Sequence, residues 1–194
     1  YMTDGTARAA ATMAAPMART TIIDAHDVFE IAGVRIEAVA VPHDAREPVQ
    51  FVIDDGRARL GVLTDIGRST AHVVRALGRL DALVLECNHD AEMLESGNYP
   101  RALKRRIGGD FGHLSNAQAG EILAAIDHDS LRSVVAAHPS RSNNRPELAR
   151  DTLPPAWGVA PEAIVLADQD SGFPSIELSE KPPPTQKRGG ENWP

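Results

Sequence analysis

The chain has 194 residues, 20 Lys and Arg against 27 Asp and Glu, and a formal charge of −7. That is the length of one domain, or of one domain with a tail, and 42% apolar residues are enough to build a core. The negative charge argues against a bulk, sequence-independent binder of nucleic acid, which relies on a surplus of cations. The single cysteine, Cys87, excludes an internal disulfide and a multi-cysteine zinc cage.

No apolar run reaches the roughly 18–20 residues of a membrane span. The Ala- and Met-rich start is interrupted by Arg8 and Pro16 and lacks the leucine-rich stretch of a signal peptide, so a cytoplasmic location is expected. A first residue of Tyr1 rather than Met leads us to expect a segment of a longer polypeptide.

In chain order, residues 3–19 read as an alanine-rich helix. Period-two alternation then takes over: Val28, Glu30 and Ile31 lead through Ala32-Gly33 to Val34, Ile36, Ala38 and Ala40, the pattern of a β-hairpin. A second hairpin follows, with residues 50–53 and 59–63 flanking Asp54-Asp55-Gly56-Arg57. Ser69 can cap a helix carrying Val73, Val74, Leu77 and Leu80 on one stripe. Residues 81–87 and 133–137 read as buried strands. Residues 99–107 read as a helix stopped by Gly108-Gly109, and Ser115-Asn116 as the cap of an amphipathic helix. Residues 164–167 and 175–178 read as closing strands. From residue 179 to 194 the composition suits a disordered tail, leaving a domain over residues 1–178. Hairpins followed by alternating strands and helices predict a mixed-sheet α/β layer structure.

The polar residues that stand out lie just beyond strand ends. Four successive strands run into Pro42-His43-Asp44, Thr64-Asp65, Asn88-His89-Asp90 and His138-Pro139-Ser140. Loops converge at such ends in layered α/β folds. Imidazole nitrogen and carboxylate oxygen are the usual ligands of zinc and similar ions. Taken singly, each residue is better explained by a turn or a cap; four in order point to a metal site.

His113 precedes a helix N-terminus, where anions such as phosphate are favoured and a donor histidine can protonate a leaving group. Equally, it could only pack at the helix entry. The loop 140–144, with Ser140 and Asn143, suits phosphate oxygens or a helix cap before Pro146. Arg101, Lys104, Arg105 and Arg106 form either a solvated helix face or a hold on a nucleic-acid backbone. His26, His72 and His128 read as surface residues.

The segments 41–45, 63–65, 85–90, 112–116 and 137–140, with Asn143-Asn144, together resemble the metallo-β-lactamase-fold hydrolases, closest to the bacterial 5′-exonuclease-like branch related to ribonuclease Z. The resemblance implies a four-layer αββα sandwich, here mainly its C-terminal portion, with two divalent ions (zinc or manganese) along one edge. It implies that His43, Asp65 and His138 are metal ligands, Asp65 bridging both ions, and that His113 lies near a scissile phosphate. His89 falls in a segment typical of the branch and is taken as a second catalytic candidate. Ser140, Asn143 and Arg105 are the candidate substrate contacts.

The implied activity is a metal-dependent phosphodiesterase or nuclease acting on DNA or RNA. A thioester or lactam hydrolase of the same fold, or an inactive module serving binding or assembly, are the alternatives. Two departures stand against the pattern: no His-x-His-x-Asp-His stretch occurs, and Pro139 stands where leucine is expected.

Overall fold

Seven strands form one sheet in the order in which the chain makes them: β1 (Val28–Ile31), β2 (Val34–Ala40), β3 (Val49–Asp54), β4 (Arg59–Leu63), β5 (Ala82–Glu86), β6 (Ser133–Ala137) and β7 (Ile164–Leu166). The computed structural model describes residues 1–12 and 20–178, so the expected tail and the second half of the N-terminal helix lie outside the described residues. The first half is α1 (Asp4–Thr12). β1 to β4 pair antiparallel and β4 to β7 pair parallel. The change of sense follows from the connections. Short turns join β1 to β2 and β3 to β4, and the loop 41–48 joins β2 to β3, whereas each parallel pair needs a crossover.

The turns have the chemistry their geometry requires. Ala32 and Gly33, between β1 and β2, both take positive φ, as a two-residue hairpin turn demands. Between β3 and β4, Gly56 has a φ of 82°, and the Asp55 carboxylate accepts the amides of Arg57 and Ala58 at 2.9 and 2.8 Å.

The crossovers carry α2 (Ala71–Ala76), α3 (Ala91–Ser96), α4 (Arg101–Ile107), α5 (Asn116–Ala125), α6 (Pro146–Thr152) and α7 (Pro154–Trp157). Thr70, not Ser69, caps α2, its hydroxyl accepting the Val73 amide at 3.2 Å. Ser115 caps α5 in a reciprocal box with Gln118, as its sequence anticipates. Residues 175–178, expected as a strand, form none. The last strand is only three residues long, and the chain then turns at the Asp168–Gly172 bridge.

One face of the sheet is covered. Val52, Leu83, Val134 and Ile164 lie in one register row with Gly61 and pack with Val73, Leu77, Ile122, Leu123, Leu153 and Trp157 of the helices. The segment after α2 comes so close to β4 that a Cβ on Gly61 would sit 2.6 Å from the Leu80 side chain. The opposite face carries Phe51, Ile53, Leu60, Val62 and Val84, all only partly buried. The described residues therefore contain one sheet with helices on one face. This is half of the expected four-layer sandwich, and a second sheet is not among them. Among the described residues no helix is long and apolar enough to cross a membrane.

Candidate metal centre

Because β2 and β4 to β6 all run in the same sense, their C-terminal ends open on one rim. His43 follows β2, Asp65 follows β4, Glu86 is the last residue of β5 and His138 follows β6. The loop before α5 brings His113 to the same place. Its path depends on two glycines: a Cβ on Gly112 would meet the Ile107 carbonyl at 2.1 Å, and one on Gly67 would meet Asp110 backbone atoms at 2.4 Å. Neither position has room for a side chain.

At the centre of the rim, Asp65 Oδ1 lies 3.8 Å from each of His43 Nε2, His113 Nδ1 and His138 Nδ1. That separation is too long for a hydrogen bond. Successive imidazole centroids, His43 to His113 and His113 to His138, are 5.2 Å apart. One ligand-type atom from each of Asp65, Glu86, His113 and His138 falls within 4.8 Å of the others. Both Asp65 and His138 have left-handed backbones, with φ of 52° and 56°. A non-glycine residue adopts that region at a cost, and such outliers gather at functional sites.

Glu86 organises the group from below. It is fully buried. Its Oε1 accepts His113 Nδ1 at 2.8 Å and His138 Nδ1 at 2.7 Å, and its Oε2 accepts the amides of Ile66 and Leu114 at 3.1 and 3.2 Å. Burial pushes this carboxyl upward, but the hydrogen bonds from the two histidines and the Ile66 amide outweigh it and hold its pKa at about 2. Reciprocally, the Glu86 hydrogen bond raises the pKa of His138 against the opposing effect of burial.

In a neutral imidazole whose Nδ1 donates to a carboxylate, the proton is fixed there and Nε2 keeps its lone pair. His43 is set in the same way by another acceptor, its Nδ1 lying 3.0 Å from the Gly112 carbonyl. Imidazole and carboxylate groups in this combination suit a first-row divalent ion, so the donor set fits the metal expected from the strand-end pattern.

The other candidates fall elsewhere. His89 is buried, 3% exposed, with its Nδ1 lacking a hydrogen-bond partner, and it lines a cavity beside α4 together with Arg105. Ser140 Oγ accepts the Asn143 amide at 3.2 Å, and Asn143 is itself buried. Arg106 pairs with Asp44 at 2.5 Å, and this ion pair holds the Asp44 carboxyl below its usual range. Of the histidines read as surface residues, His26 is exposed, whereas His72 and His128 are half-buried.

Sequence reasoning passed over Glu86. Its signal was a carboxylate ending an apolar run, Leu83-Val84-Leu85, where an unpaired charge would be costly.

The family model for a beta-lactamase superfamily domain matches residues 2–138. A Bacillus anthracis protein named exodeoxyribonuclease YycJ is 33% identical over 165 residues, covering 82% of this chain and 62% of its own length. Exodeoxyribonuclease WalJ of Streptococcus pneumoniae is 37% identical over 120 residues, 61% of this chain and 44% of WalJ. The chain thus spans between about two fifths and two thirds of these relatives. Among solved structures, the metallo-beta-lactamase fold protein YhfI from Bacillus subtilis superposes with a TM-score of 0.60 at 15% identity. That match covers 80% of this chain and 54% of YhfI, a likeness of fold.

Proposed function

The chain belongs to the beta-lactamase superfamily, and from that premise we propose that it is a metal-dependent hydrolase of phosphodiester bonds in nucleic acid, working as an exonuclease. The observation that carries the reading is the gathering of His43, Asp65, His113 and His138 on one rim, with the buried Glu86 beneath two of the histidines. The relatives named exodeoxyribonucleases support the substrate class.

His43, Asp65 and His138 would hold divalent metal. Asp65 faces both histidines at 3.8 Å and would be the carboxylate ligand beside them. Bound there, zinc or manganese supplies a polarised phosphoryl oxygen and a water acidic enough to ionise near neutral pH. This chain's own contribution is orientation and proton transfer. Glu86 fixes a His113 proton on Nδ1, which leaves Nε2 as the nitrogen that would carry a proton to the departing oxygen.

The test is release of nucleotides from a DNA strand in Mn²⁺, in chelator, and for His138→Ala and His113→Ala. Wild-type release that stops in chelator, and His138→Ala without stoichiometric metal or activity, are expected. His113→Ala should keep its metal and lose at least about 100-fold in rate, the usual scale of a general acid. Release that is indifferent to chelator would end the proposal.

A further inference from the structure

A cavity of about 890 Å³ lies off the rim, between α3, α4 and the start of α5. Three cations of α4 face it: Arg101, Lys104 and Arg105, spaced three and four apart and so on one helix face. Their neighbour Arg106 points elsewhere, to Asp44. Lys104 donates to the Glu95 carbonyl. Among the described residues Arg101 and Arg105 form no ion pair, although Glu95 also lines the cavity. Ser115 and Gln118, locked in the α5 capping box, make a polar wall.

Behind them stands His89, buried, with its Nδ1 unpartnered. A buried polar atom without a partner carries a cost that a ligand can relieve.

Two chain segments join this cavity to the rim. Glu86 and His89 lie on one, His113 and Ser115 on the other. The segments are bonded to each other, Asn88 N to the Leu114 carbonyl at 3.1 Å and Asn116 N to the His89 carbonyl at 2.8 Å. Even fully extended, three residues span only about 10 Å, so one strand of nucleic acid can reach both places.

We propose that this cavity seats a non-scissile phosphate of the nucleic-acid strand, held by Arg101 and Arg105 and faced by His89, while the neighbouring phosphate is cut at the rim. The inference rests on the phosphodiester reading of that rim. Guanidinium groups match phosphate oxygens in pairs, and they are concentrated here in a chain that is acidic overall.

The experiment is fluorescence anisotropy of a labelled single-stranded DNA decamer in excess chelator, with salt titrated. Arg101→Ala/Arg105→Ala should bind at least about 10-fold more weakly, and its log K against log salt slope should be shallower by about 1.4, two contacts at about 0.7 each on a single strand. Arg57→Ala/Arg79→Ala, which removes the same charge at the far end of β4, should bind as wild type does. Equal weakening by both double variants, or none by the first, overturns the cavity assignment. Free thymidine monophosphate binding as tightly as the decamer overturns the assignment to a strand.

His138→Ala should bind the decamer normally in chelator, having lost only cleavage. A wild type that cleaves but ignores Arg101 and Arg105 sinks this inference and leaves the hydrolase standing. A wild type that binds through them but never cleaves in Mn²⁺ sinks the hydrolase reading instead.

Discussion

Glu86→Gln tests the organisation of the rim more sharply than loss of any histidine. The substitution keeps the shape and removes one acceptor face. A carboxylate accepts on both oxygens, and Glu86 uses both, Oε1 for two imidazoles and Oε2 for two amides. A carboxamide can serve only one of these pairs. With its oxygen toward His113 and His138, its NH₂ faces the amides of Ile66 and Leu114 and leaves two buried donors unsatisfied. At about 1–3 kcal/mol for each, the loss is about 2–6 kcal/mol. With its oxygen toward the amides, the NH₂ faces Nδ1 of both histidines. Each must then accept there, moving its proton to Nε2 and blocking the nitrogen left for metal.

Urea denaturation in chelator reads the first outcome, and stoichiometric metal analysis reads the second. The expectation is a loss of several kcal/mol, or retained stability with metal gone. A variant within 1 kcal/mol of wild type that also binds metal normally would refute the reasoning, because four donors would have lost nothing.

Gly112→Ala should unfold the 107–113 loop or displace it, since the new Cβ would lie 2.1 Å from the Ile107 carbonyl. His43 loses its acceptor with it, so metal content and melting temperature should both fall. Leu83→Ala, in the covered face with no solvent exposure, should cost about 2–5 kcal/mol by thermal melting while the proposed activity per folded molecule stays within twofold. Metal-free protein should lose stability in acid through Glu86. Its carboxyl is ionised far below its ordinary 4.5 in the fold, so the stabilisation is complete above that value and is lost as the pH falls toward about 2. His138 has the opposite sign: its raised value stabilises the fold below 6.5 and ceases to do so as the pH rises through the folded value. Denaturation midpoints across pH in chelator should thus decline on both sides for wild type, with the acid limb missing in Glu86→Gln.

His43, Asp65 and His138 were legible because each follows an apolar run that could only be a strand, and strand ends in a mixed sheet converge. Glu86 was not, because one carboxylate inside a strand pattern looks like an outward-facing residue until the loops carrying Ile66, His113 and His138 are seen to close over it. His89 looked equivalent to the others by spacing. It diverges because the chain turns after Glu86 into an isolated bridge with Ser115, carrying the ring to the far side of that segment. The six-residue α3 was too short to show a period, and Asp90 caps it with no apolar stripe to announce it. The expected strand at 175–178 had the right alternation but no neighbour to pair with among the described residues, since alternation reports a half-buried surface and not a partner.

What no reading of residue types could show is the backbone at Asp65 and His138. Both sit where the chain leaves a parallel strand, both have positive φ, and each costs about 1–3 kcal/mol relative to a relaxed turn. Glycine would remove that strain, yet it would also remove two of the groups that lie beside His113. The fold holds them because their surroundings leave little freedom: the Ile66 amide beside Asp65 is bound to Glu86, and so is the His138 ring. The same buried carboxylate therefore restrains the two strained residues and orients two imidazoles. This explains why a charge is found at the inner end of β5, and why Asp65→Gly or His138→Gly should raise the melting temperature of metal-free protein less than a free turn would predict.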